Sequence, residues 1–92
     1  MSRPKKLRKV TFNPDIIYFK PRAVPLAELQ EVKLNLDELE AVRLCDLEKV
    51  EQKEVAKKMK ISQSTLSRIV ASARKKIAQA LIEGRAIAIQ KK

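Results

Sequence analysis

The sequence predicts a mainly α fold: three helices at about residues 36–46, 51–59 and 63–82, flanked by short strands at about 31–35 and 86–90, after an irregular N-terminal segment. Three observations predict it. Apolar residues return every three or four positions through the middle and the last third of the chain, the period of a helix with one buried face. Apolar and polar residues alternate in EVKLNL, and Ile87 and Ile89 alternate with Ala86, Ala88 and Gln90, the period of a strand. The aromatic residues are confined to Phe12, Tyr18 and Phe19, so the rest of the core has to be built from Leu, Ile, Val, Ala and Met, which suits small packed helices.

Residues 1–9, MSRPKKLRK, read as a flexible basic arm with nothing to bury, and residues 10–92 as a single domain. The arm is either a solvated tail or a contact to phosphate through Lys5, Lys6 and Arg8. Val10 and Phe12 alternate with polar neighbours and predict a short strand. The segment that follows is broken by Pro14, Pro21 and Pro25, so it is expected to be irregular. Tyr18 and Phe19 within it have two readings, base-stacking platforms or anchors of the core or of an oligomer, and the shortage of other apolar groups there favours anchors.

The first helix starts at a capping pattern, Asn35 followed three residues later by Glu38, and is expected to bury Leu39, Val42 and Leu44 or Cys45. The second, EQKEVAKKM, buries Val55, Ala56 and Met59. The third begins after Ser62, carries Leu66, Ile69, Val70, Ala73, Ile77 and Leu81 at helical spacing, and stops at Gly84, the only glycine.

Formal net charge is +10 and unevenly spread: net +5 over residues 1–33, −1 over 34–61 and +6 over 62–92. A basic head and tail around a neutral middle call for a polyanion, nucleic acid or an anionic membrane surface. A chain of 92 residues holds one modest core and no large cleft. It has no histidine and one cysteine, Cys45, so an internal disulfide and a His/Cys metal cluster are excluded, and Cys45 between leucines reads as a small core residue. With no histidine and no glycine-rich phosphate loop, an enzyme is not expected, and no cofactor or metal is implied. No apolar run reaches the roughly 18 residues of a membrane span. No apolar stretch of a secretory signal follows the basic start, so a cytoplasmic location is the expectation.

The spacing within residues 52–69 carries the functional reading. With Gln52 as first position of a helix-turn-helix window, Ala56 is fifth, Lys60 ninth, Ile61 tenth, Leu66 fifteenth and Ile69 eighteenth. The fifth position must be small because two helices cross there nearly in contact. Val55, Met59, Ile61, Leu66 and Ile69 are apolar where the wedge between helices has to be filled. The ninth must turn the chain with positive φ; glycine is usual, and a lysine there costs on the order of 1 kcal/mol. Ser62 is placed to cap the following helix by accepting from the amide of Ser64 or Thr65.

In such a unit the start of the last helix enters the major groove of duplex DNA. Gln63, Ser64, Ser67 and Arg68 would face outward and contact base edges, glutamine pairing with adenine and arginine with guanine. Ser62, Thr65, Ser72, Arg74, Lys75 and Lys76 would contact phosphates, together with Lys5, Lys6 and Arg8 of the arm. An ordinary three-helix bundle with a wet polar face would show much of the same pattern; the basic tail and the position of Arg68 favour DNA.

At these residues the chain resembles uncharacterised protein family 0251, also called domain of unknown function 134. The resemblance runs through RPKKLRKV, YFKPRAVPLAELQEVKLNLDELEAVRLCDLE and QKEVAKKMKISQSTLSRIVASARKKIAQALIEGRAI, nearly the whole chain. It implies a DNA-binding protein whose helix-turn-helix is similar to the promoter-reading domain of bacterial sigma factors, and a transcriptional regulator as its role. Leu7 and Thr11-Phe12 stand where relatives often have cysteine, which removes a metal or redox role from the arm. Arg22-Ala23 replaces a common glycine-containing turn, and Lys60 replaces the turn glycine.

The competing expectation is a protein-interaction module docking on RNA polymerase or another part of the transcription machinery through an acidic first helix, with Glu38, Glu40 and Asp46. A lone helix-turn-helix gains affinity from a second copy. A homodimer built on the N-terminal aromatics or on Ile77, Leu81 and Ile82 is therefore expected.

Overall fold

The structure, a computed structural model, describes residues 8–91. In chain order the elements are β1 (Tyr18–Phe19), a 3-10 turn (Leu26–Glu28), β2 (Glu31–Asn35), α1 (Leu36–Val42), α2 (Gln52–Met59), α3 (Gln63–Glu83) and β3 (Ala86–Gln90). This is a mainly α fold with short flanking strands, as the periodicities predict.

The two strands predicted by alternation pair in parallel, Val32 opposite Ile87 and Leu34 opposite Ile89. Parallel neighbours need a long crossover, and here all three helices form it. β1 joins β3 on its other side, antiparallel, giving the sheet order β1-β3-β2. On the face turned away from the helices, Tyr18 reaches across β3 and its hydroxyl donates to Glu31 at 2.8 Å. On the other face Leu34 and Ile89 pack with Ala73 of α3. A second cluster joins Ala41, Leu44 and Cys45 to Val55, Ala56 and Met59 of α2 and to Leu66, Ile69 and Val70 of α3.

Several expectations are corrected. No strand forms at Val10–Phe12. The Thr11 amide and hydroxyl both donate to the Glu40 carboxylate, and Phe12 lies under the Arg43 guanidinium, whose Cζ is 5.3 Å from the ring centroid. These contacts replace a strand ladder. The first helix does not stay α to residue 46: Arg43–Leu47 widens into a π turn, closed by the Glu48 amide on the Arg43 carbonyl and by Lys49 at φ 59°. Leu39 and Val42 are only half-buried, and the burial falls also on Ala41 and on two charged residues, Glu38 and Glu40. In α3 the stripe continues from Ile77 to Ala80 rather than to Leu81, because a period of 3.6 residues leaves Leu81 out of phase, 75% exposed.

Candidate functional site

The junction of α2 and α3 is set by local backbone chemistry. α2 ends at Lys60, in the left-handed conformation (φ 57°, ψ 46°), and the Ile61 amide returns to the Ala56 carbonyl at 3.0 Å. Ser62 is extended and its hydroxyl accepts from the Thr65 amide at 3.1 Å, capping α3. Below the turn Val55, Met59 and Leu66 are fully buried and Ala56 nearly so, which locks one face of α3 against α2. The opposite face of the first two turns is solvent-exposed at Gln63, Ser64, Ser67 and Arg68. Gln63, Ser67 and Arg68 make no side-chain hydrogen bond or ion pair among the described residues. Ser64 exchanges a hydrogen bond with Ser62 at 3.2 Å. A helix start of this kind offers uncommitted amide, hydroxyl and guanidinium groups, with the positive end of the helix behind them.

The residues expected on phosphate fall into two sets. Lys75 is exposed and has no ionic partner among the described residues. The others are engaged within the molecule. The Ser72 hydroxyl donates to Glu38, and the Lys76 ammonium donates to the same carboxylate at 2.8 Å. Arg74 places a fork on Asp46 of the π turn, at 2.6 and 3.1 Å. Arg8 lies 3.4 Å from Asp37. Ser62 and Thr65 serve the cap, with Ser62 also donating to the Thr65 hydroxyl at 2.9 Å. The reason is geometric: Ser72 and Lys76 of α3 lie beside α1, whose Glu38 reaches them, and Arg74 lies beside the π turn, whose Asp46 reaches it. Lys5 and Lys6 lie outside the described residues.

The acidic face expected on the first helix is corrected in the same way. Glu38 and Glu40 are 5% and 2% exposed, and Asp46 is occupied by Arg74. Burial opposes ionisation of Glu38, but the Lys76 ammonium, the Ser72 hydroxyl and the Asn35 amide outweigh it and hold the carboxyl below its ordinary pKa. Burial likewise opposes ionisation of Glu40, outweighed by the Arg43 guanidinium and by the amide and hydroxyl of Thr11. Both are therefore buried carboxylates that tie elements together, not a docking surface. Sequence spacing held the signal for them: Glu38 at the third position of a capping box, Glu40 three residues before Arg43. The thiol of Cys45 is pushed up by burial and then by Asp46, the reverse of an activated nucleophile.

Lys60 carries more than the turn. With Arg8, Ile61, Ser62 and Thr65 it lines a groove of about 310 Å³ at the start of α3. The Lys9 amide donates to the Met59 carbonyl at 3.1 Å, so the N-terminal segment runs beside the turn, an adjacency that no local pattern reveals. Among the described residues there is no cluster of potential metal ligands and no helix long and apolar enough to cross a membrane.

Comparison with known proteins adds family but not chemistry. The profile of the family described as "Protein of unknown function DUF134" matches residues 1–91. The chain is 49% identical over 87 residues to a UPF0251 protein of Halothermothrix orenii, covering 95% of this chain and 64% of that protein. It is 52% identical over 90 residues to a UPF0251 protein of Caldanaerobacter subterraneus subsp. tengcongensis, covering 98% of this chain and 76% of the relative. It is 51% identical over 90 residues to one of Desulforudis audaxviator, covering 98% of this chain and 59% of the relative. The chain thus spans less than two thirds of two of these three relatives. No solved structure matches the chain.

Proposed function

The chain belongs to the DUF134 family, and from that premise and the geometry of α2 and α3 we propose that it reads double-stranded DNA through a helix-turn-helix, as a transcriptional regulator. One observation carries the proposal. Gln63, Ser67 and Arg68 stand exposed and uncommitted on the first turns of a helix whose opposite face is locked by Leu66, Ile69 and Val70. Arg68 is thereby free to meet a partner outside the molecule, beside a capped helix start that Lys60 adjoins. The left-handed residue at position 60, the near-total burial of Ala56 and the Ser62 cap support the same unit.

In this reading α3 enters the major groove with Gln63 and Ser64 first and Ser67 and Arg68 one turn later. Arg68 forks onto guanine and Gln63 onto adenine, each pairing discriminating by about 1–3 kcal/mol. Lys75, and Lys60 at the turn before α3, meet phosphates and set affinity without sequence. Ser72 and Lys76 contribute through the attachment of α3 to α1, and Arg74 through its attachment to the π turn. The competing reading, docking on the transcription machinery through acidic groups of α1, loses its surface because Glu38 and Glu40 are buried.

Gel-shift titration with random-sequence duplexes tests the proposal. Affinity should fall steeply between 50 and 200 mM salt, by about a hundredfold or more. In a selection from a random pool, Arg68→Ala should change the recovered consensus. Lys75→Ala should keep it, weaken all sites alike and reduce the salt slope by about one. Absence of duplex binding at low salt sinks the proposal, and an unchanged consensus for Arg68→Ala removes that residue from base reading.

A further inference from the structure

An uncovered apolar surface lies beside β1, where the sheet extends past the helices. Phe19 shares the sheet face of Ile87, yet it is 52% exposed, on the edge strand of the sheet. It separates two grooves. One, of about 340 Å³, is lined by Phe12, Ile16, Leu39 and Ile89, with Asp15 at its rim. The other is formed by Ala80, Leu81 and Ile87, with Lys20 at its rim. Ile16 and Leu81 stand up on either side, 63% and 75% exposed.

We propose that this surface binds a second copy of the chain in a two-fold dimer, Leu81 of each copy entering the Phe12–Ile16–Leu39–Ile89 groove of the other. Two observations single out a second copy. The surface holds both halves of the contact, a protruding leucine and an open groove, as an interface related by a two-fold axis requires. Its rim is self-complementary: Asp15 and Lys20 have no ionic partner among the described residues, the Lys20 ammonium donating only to the neutral carbonyls of Pro21 and Arg22, and they flank opposite grooves, so each Asp15 meets the other copy's Lys20. Glu83 and Arg85, also near Leu81, already pair with each other at 2.8 Å and leave that match undisturbed.

Size agrees. The exposed parts of Phe12, Ile16, Phe19 and Leu81 amount to roughly 400 Å² of apolar side chain. With Pro14, Pro21 and the charged rim they form the core of the roughly 600–1,000 Å² per partner that a stable pair buries. Leu81 is 18 residues from Gln63 along α3, about 27 Å, so pairing here leaves both helix starts free.

The dimer stands without the nucleic-acid reading and is measured without DNA. Sedimentation equilibrium of the full chain should show a reversible dimer at micromolar concentration. Leu81→Glu, at an exposed position, should keep its far-ultraviolet circular dichroism and raise the dissociation constant at least about tenfold. Asp15→Lys and Lys20→Asp should each weaken the dimer, and the double reversal should restore it. Arg68→Ala should dimerise as the parent does, which separates failure of the dimer from failure of base reading. A parent chain that stays monomeric at about 100 μM, a Leu81→Glu variant that dimerises unchanged, or a double reversal without rescue overturns the proposal.

Discussion

Two lysines hold left-handed backbone, Lys49 at φ 59° and Lys60 at φ 57°, and neither conformation is easy for a side chain with a Cβ. At Lys60 the strain is the cost of turning the chain between two helices in one residue. Lys60→Gly should stabilise the fold by about 0.5–1 kcal/mol, read in a thermal melt, and clear destabilisation would mean that the turn does not carry that strain. The turn was legible at Lys60 because a spacing rule points to the ninth position. Lys49 was not, because nothing in LEKVE marks it; it follows from the π turn, which widens the helix end. Arg68 and Gln63 were legible as exposed residues, since helical phase separates them from Leu66 and Ile69. What phase does not show is whether an exposed cation finds a partner, and Arg74 and Lys76 did while Arg68 did not.

The crossing of α2 on α3 rests on Ala56, 3% exposed between Val55 and Met59. Ala56→Leu has no space to enter and should cost about 1–3 kcal/mol by overpacking, measured by denaturant unfolding. If the variant folds, α3 is displaced, and on the proposed nucleic-acid reading affinity for DNA should fall at every site. A variant as stable as the parent would mean that the helices do not meet there. α3 itself was the most legible element: a Ser cap, a 3.6-residue stripe and a terminal glycine mark both ends, and it runs Gln63–Glu83 with Gly84 at φ 67°. The N-terminal segment was the least legible. Its apparent alternation at Val10 and Phe12 is overridden by the pull of Glu40 and Arg43, contacts 29 and 32 residues away in sequence.

Across the molecule, Glu38 joins α1 to α3, and Glu40 joins α1 to the N-terminal segment. Both carboxyls are held below their ordinary pKa in the folded state. A carboxyl with a depressed folded pKa contributes stability that is fully present above the unfolded value of about 4.3. That stability is lost as pH falls through the folded value. Stability should therefore be flat from pH 7 down to about 5 and fall below about 4.3. In Glu38→Gln/Glu40→Gln, less stable at pH 7, the acid-dependent loss should be smaller. Urea midpoints at pH 7, 5 and 3 measure both chains, and an equal acid loss in the two would remove these carboxylates from the linkage.

Periodicity and spacing alone establish three helices, two strands, the turn at Lys60, the cap at Ser62 and the polar face of α3. Each of these is a local property: residues within about four positions share a face, and the backbone at a turn answers to its own side chain. The parallel pairing of β2 with β3, the addition of β1, and the burial of Glu38 and Glu40 come from contacts between residues distant in the chain. So does the division of the basic groups on α3 into bound and unbound. A charge is free or neutralised according to what the fold brings within about 4 Å, and no local pattern contains that distance.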